Sequence, residues 1–281
     1  MQRATRPESP ASWARPQHRK PLARQRRDGH PAPVSSSDVW DEATAQANDR
    51  TSADMFAPDV LDPAVDLLAG LAGEGPALEF AVGTGRVAIP LTARGVRVTG
   101  IELSQPMTDE LHRKQPDLPV VVGDMATATA PGTFSLVYVV WNSLGNVRTQ
   151  AGQVACFRNA ARHLAPGGRF VVELGVPPLR RFPPRQTAVP FHVGGRHVGF
   201  DTLDPVTQQG TSHHYWHEDD GTVRYAASRH RYVWPAELDL MARLAGLELD
   251  RRTAGWRGEP FTGDSESAVS VWRKPARPPA R

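Results

Sequence analysis

A single cysteine, Cys156, stands in the 281 residues, so the chain can form neither an internal disulfide nor a multi-thiolate metal site. That usage suits a reducing, cytoplasmic setting. No apolar run approaches the ~20 residues that a membrane-spanning helix needs. No apolar stretch follows the N-terminal charges, so no signal peptide is expected. Internal repeats are absent as well, which removes solenoids and propellers.

Aliphatic residues are almost missing from residues 1–38, a stretch rich in Pro and Arg. It holds eight Lys/Arg against three Asp/Glu, whereas the rest of the chain holds 25 basic and 27 acidic residues. The net charge of +3 therefore comes from a tail, while the remainder is slightly acidic. Such a composition buries too little apolar surface to order itself, and 1–38 is expected to be a disordered basic extension. A polyanion-binding arm is the functional alternative. Residues 275–281 form a shorter tail of the same kind.

From Trp40 onward the pattern alternates. Residues 59–73 place Val60/Leu61, Val65, Leu68 and Leu71/Ala72 at helical spacing, with Asp62-Pro63 as either a cap or a kink within a longer helix. Short apolar runs follow at Ala77–Val82, Val96–Ile101, Pro119–Gly123, Phe134–Val140 and Arg169–Gly175. Helical segments separate most of them, one opening on Ser104 and one placing Val154, Phe157 and Leu164 on a shared face. Apolar strands alternating with helices imply a parallel sheet covered on both faces. After the fifth strand a proline-rich connector leads into three stretches, within about 189–234, that read as antiparallel strands, with Asp220-Gly221 as a hairpin turn. A helix and two more strands, Leu247–Arg252 and Ala268–Arg273, close the chain. The expected fold is an α/β, Rossmann-like, doubly wound sheet of seven strands, the last antiparallel, carrying an antiparallel β insert.

Ligands of such sheets bind outside the carboxyl ends of the strands. Strand one ends in Glu79 and the loop Ala81-Val82-Gly83-Thr84-Gly85, strand two in Glu102, strand three in Gly123-Asp124, and strand four runs into Trp141-Asn142-Ser143. Gly83-x-Gly85-x-x-Ala88, with Glu102 17 residues after Gly85, also satisfies the dinucleotide fingerprint, so a nicotinamide-dependent oxidoreductase is one reading. Against it, Glu79 at the base of the loop would repel a pyrophosphate. A ligand with an ammonium and a sulfonium would be attracted.

The stretches LEFAVGTGR, GIELS and VGDM resemble the three motifs of the class I S-adenosylmethionine-dependent methyltransferases, and the resemblance covers about residues 39–274. It implies S-adenosylmethionine as cofactor. It implies that Glu79 faces the methionine ammonium, that Ala81, Gly83 and Gly85 line its approach, and that Glu102 accepts from the ribose hydroxyls. Asp124 would accept from the adenine amino group, the Met125 amide would reach a ring nitrogen, and Leu103 and Met125 would flank the adenine. Ala81 departs from the family, which usually has its first glycine there.

In layout the chain is similar to the sugar-amine N-methyltransferases of macrolide biosynthesis. The Tyr-Asp pair and the loop histidine of those enzymes correspond here to Trp40-Asp41 and Asn146, so the sugar substrate is not carried across. The expectation is methyl transfer to N or O of a small molecule, with Trp40 in a lid over 39–57 and Asn142 and Asn146 presented to the acceptor. A catalytically silent methyltransferase-fold binding module is the other alternative. No metal site is expected: His213 and His217 lie ~13 Å apart at ~3.3 Å per residue, and His213 and His214 point to opposite faces. One face of that sheet is a candidate lining for the acceptor pocket or a homodimer contact. Neither nucleic acid nor a membrane is an expected partner.

Overall fold

The computed structural model describes residues 40–178, 182–183 and 185–276. The expected basic tail over 1–38, and most of the tail over 275–281, lie outside the described residues.

The chain enters through helix α1 (Glu42–Thr51), whose N-cap Asp41 accepts from the Thr44 amide at 2.9 Å. A 3-10 turn (Ala53–Phe56) leads to α2 (Pro58–Ala72). Pro63 sits inside α2 without ending it. Proline removes the amide that would bond to the carbonyl four residues back. That carbonyl, on Asp59, instead accepts from the Arg257 guanidinium at 2.8 Å.

Alternation then follows: β1 (Ala77–Phe80), α3 (Ala88–Ala93), β2 (Val98–Glu102), α4 (Gln105–Lys114), β3 (Val120–Val122), β4 (Phe134–Val139), α5 (Gln150–His163) and β5 (Leu164–Gly175). Ser104 and Thr149 cap α4 and α5 through their hydroxyls. The chain closes with α6 (Pro235–Leu244), β10 (Glu248–Thr253) and β11 (Ser267–Arg273). The seven-stranded sheet has the order β10-β11-β5-β4-β1-β2-β3. Strands β1 to β5 pair parallel, and β11 runs antiparallel to both β5 and β10, as the sequence pattern suggests.

One apolar layer joins α5 and α6 to the sheet, where the Phe157 ring meets Phe170 at 5.0 Å and Trp272 at 5.3 Å. The other joins α2 and α3 to the opposite face through Leu68, Leu91 and Tyr138. The buried face of α5 carries Cys156, Phe157, Ala160 and His163, with Val154 only partly covered. Leu164, expected on that helix, is the first residue of β5. It pairs with Phe134, and residues 165–168 loop out before the ladder resumes at Arg169.

Between β5 and α6 lies a separate antiparallel sheet of β6 (Ala188–Gly194), β7 (His197–Asp204), β8 (Gln209–His217) and β9 (Val223–Arg231), in that order. The first of the three expected stretches turns back on itself, so it supplies two strands. The β8–β9 turn is built on Gly221, at φ 82°, and on Asp220, whose carboxylate accepts from the Thr222 amide at 2.9 Å.

Candidate active site

The loop after β1 alternates left-handed residues with ordinary ones: Ala81 has φ 54°, Gly83 φ 56° and Gly85 φ 86°. The two glycines serve different ends. A Cβ on Gly83 would meet nothing within 4 Å, and Gly83 lines the cavity beneath it. A Cβ on Gly85 would stand 2.9 Å from Ile89 Cδ1 and 3.2 Å from Leu111 Cγ. Gly85 therefore seats the loop on the neighbouring side chains and does not itself line the cavity. Thr84 is buried and ties the loop to α1, its hydroxyl donating to Asp49 at 2.5 Å. Alanine at φ 54° is strained, because only glycine adopts this region without a Cβ clash.

Three carboxylates converge on the cavity from the strand ends, each in a different state. Glu79 is almost fully buried and accepts from the Tyr138 hydroxyl at 2.9 Å. Burial raises its pKa to about 8, against the opposing pull of that hydrogen bond and of the Arg86 charge. Glu102 is raised too, again by burial, and the Ser104 and Gly83 amides that donate to it at 2.9 and 2.8 Å oppose the shift. Asp124 accepts from the Ala126 amide through Oδ1 at 2.8 Å, and its Oδ2 is buried with no hydrogen-bond partner. An orphaned buried carboxylate oxygen costs free energy unless a donor reaches it, so Oδ2 is a candidate acceptor for a donor entering the cavity.

The cavity has a volume of about 540 Å³, within the range of small-molecule sites. Of the residues expected there, Trp40, Glu79, Ala81, Gly83, Glu102, Leu103, Asp124, Met125 and Asn146 line it. Trp40 is 39% exposed at the rim and is held by its carbonyl, which accepts from the Ser104 hydroxyl at 2.6 Å.

Asn142 is not among the lining residues. Its Oδ1 accepts from the Gly175 amide at 2.5 Å, so the side chain ties the strand-four loop to the end of β5. The residue before it takes its place. Trp141 lines the cavity with φ 54°, followed by Asn142 at φ 58°. Glu173 holds this pair of left-handed residues by accepting from the Trp141 amide at 2.8 Å, while its other oxygen accepts from the Trp256 indole at 2.7 Å. Consecutive left-handed residues without glycine are rare and collect at functional sites.

The cavity also takes in Arg86, Ser143 and His214, to none of which the sequence assigned a role of its own. Arg86 lies inside the quoted glycine loop, and its guanidinium stands 5.7 Å over the Trp141 ring. His214 comes from β8, and only the tertiary placement of the second sheet brings it to the cavity. His213 points away, as strand alternation requires, and contacts Thr202 and Tyr225. Among the described residues no group of three His, Cys, Asp or Glu side chains is placed to hold a metal.

Residues 77–168 match the family described as "Methyltransferase domain". The chain is 30% identical over 250 residues to cypemycin N-terminal methyltransferase of a Streptomyces species, covering 85% of this chain and 98% of that protein. It is 33% identical over 96 residues to dTDP-4-amino-2,3,4,6-tetradeoxy-D-glucose N,N-dimethyltransferase of Saccharopolyspora spinosa, covering 34% of this chain and 39% of that one. Among solved structures, the CcbJ methyltransferase of Streptomyces caelestis superposes with a TM-score of 0.72 at 35% identity, covering 84% of this chain and 100% of that chain. With the strand-end carboxylates, the glycine loop and these relatives together, the chain belongs to the S-adenosylmethionine-dependent methyltransferases.

Proposed function

We propose that this chain transfers a methyl group to a primary or secondary amine of a small molecule of secondary metabolism, and that residues 39–274 form the catalytic unit. The observation that carries the choice of nitrogen is the relative matched over nearly its whole length, which is named for N-terminal methylation. The partial match to a sugar-amine N,N-dimethyltransferase points the same way.

In this reading the strand-end wall holds the cofactor. Asp124 Oδ2 receives the adenine amino group, and the Met125 amide reaches a ring nitrogen. Leu103 and Met125 cover the base, while Glu102 accepts from the ribose hydroxyls with the lone pairs its two amides leave open. Ala81 and Gly83 admit the methionine portion over bare backbone, and Glu79 answers its ammonium. Once bound, S-adenosylmethionine supplies a methyl group on a sulfonium, a leaving group that departs neutral and needs no acid. The protein's work is then to aim the acceptor and exclude water. Trp40 and α1 act as the cover, and Asn146 and Ser143 present polar groups to the acceptor from the strand-four loop. Asn142 acts one step removed, by fixing that loop.

The test is a panel comprising a peptide with a free α-amine, a dTDP-amino sugar and a phenol, each incubated with S-adenosylmethionine and the full chain. S-adenosylhomocysteine release should accompany a mass gain of one methylene on an amine. Transfer confined to the phenol, or to none of the three, would overturn the reading.

A further inference from the structure

The run His213-His214-Tyr215-Trp216-His217 places one imidazole against the cavity. His214 Nδ1 lies 3.0 Å from His197 Nε2, and the two rings are stacked with centroids 5.2 Å apart. His197 in turn stacks on His192 and on Trp216. The row of rings thus runs from the cavity across the second sheet to its edge strand, β6. One proton occupies the contact between His214 and His197, and if it sits on His214 Nδ1, His214 Nε2 carries a bare lone pair. No protein group hydrogen-bonds that Nε2 among the described residues, and His214 shares the cavity with Trp141, Ser143 and Asn146.

Resting on the amine reading above, we infer that His214, held in this tautomer by His197, is the proton acceptor for the amine being methylated. An amine that arrives as ammonium has no lone pair to attack with. One N–H bond breaks, its electron pair stays on nitrogen, and the proton forms a bond to His214 Nε2. The nitrogen then bonds to the methyl carbon as the carbon–sulfur bond breaks and its pair goes to sulfur, so the product nitrogen is again cationic. The proton taken by His214 leaves from Nε2 to solvent as the product departs, while His197 keeps the Nδ1 proton in place for the next turnover. In this chain His197 is a positioning residue.

The surroundings disfavour the charged form of both imidazoles. Burial, followed by the neighbouring His197, lowers His214, and His213 adds to this, while Asp201 on β7 pulls the other way. His197 is lowered by burial, then by His192 and Arg224. Ser143 and Asn146, from the strand-four loop, are uncharged, and Arg86 is the cation lining the same cavity. An imidazole of lowered basicity is a weak partner for a lysine-like ammonium, of pKa ~10.4, and a far better one for an α-amine of ~7.7–8.0.

Two readouts test this. In the full chain labelled with 15N-histidine and saturated with S-adenosylmethionine, NMR should place the His214 proton on Nδ1, and His197→Phe should abolish that preference. A proton fixed on Nε2 in the wild type would overturn the inference. With the free-α-amine peptide as acceptor, His214→Phe should lower kcat/KM at least tenfold at pH 7, and the deficit should shrink as pH rises and free amine appears in solution. Cofactor affinity, read by calorimetry, should stay within threefold, which shows that the variant is folded. Equal pH profiles for the variant and the wild type would remove this role alone, whereas failure of every amine in the panel would remove the amine reading and this role with it.

Discussion

The two walls of the cavity are built by different means. The strand-end wall consists of short loops pinned largely by backbone: left-handed residues after β1, Glu102 held by the Gly83 and Ser104 amides, and Asp124 held by the Ala126 amide. The second wall, the rest of the lining, depends on contacts distant in sequence: Trp141 from the loop after β4, tied down by Glu173, and His214 from a second sheet. The first wall has the fixed character a common cofactor needs. The second can change its rings and polar groups without disturbing the sheet, which is where acceptor choice belongs.

If the division is right, the largest effect on cofactor affinity falls at Glu102. Replacing it with Ala removes charged hydrogen bonds of roughly 1.5–3 kcal/mol each and leaves the Gly83 and Ser104 amides unpartnered. Calorimetry should show S-adenosylmethionine weakened ten- to hundredfold, with about 1.4 kcal/mol per decade. Asp124→Ala should cost about one decade, because the adenine keeps its apolar cover. Wild-type affinity in both variants would break the assignment of this wall.

A severalfold effect is expected from pH at Glu79. Its folded pKa, about 8, lies above the ordinary carboxylate value of 4.5, so the empty protein binds this proton more tightly than the unfolded chain does. Stability of the empty protein should therefore fall as pH rises from about 4.5 to about 8. A cationic ligand favours the ionised form, so its affinity should rise over the upper part of that window and level off above pH 8. Glu79→Gln should flatten both dependences, as read by thermal melts and calorimetry across pH.

The smallest effect belongs to Ala81. Glycine removes the strain of φ 54° but enlarges the unfolded ensemble. The net change should be a stabilisation under about 1 kcal/mol, read as a small rise in Tm, with cofactor affinity unchanged or slightly better.

The same contrast explains what could be read in advance. The strand-end wall was legible because its geometry is local: a glycine needs its place within a few residues, and an acid at a strand end stays there. Even so, Gly85 sits against Ile89 and Leu111 and not on the cavity lining, a distinction that no local pattern carries. The second wall was legible in outline: the strand-four loop with Asn146, and a β insert with one face as a candidate pocket lining, but not which of its rings reach the cavity. The exchange of Asn142 for Trp141 as the lining residue rests on two consecutive left-handed residues held by Glu173, 32 residues away in sequence. Asparagine tolerates that conformation, but tryptophan gives no sign of it. His214 could be assigned to a face by alternation, but not to a cavity, since nothing local says what lies opposite β8.

The most direct test sets the walls against each other in one calorimetric comparison: S-adenosylmethionine titrated into the wild type, Glu102→Ala and His214→Phe at pH 8. The account predicts a ten- to hundredfold loss at Glu102 and a change under threefold at His214. Equal losses in the two variants, or a loss confined to His214→Phe, would contradict it.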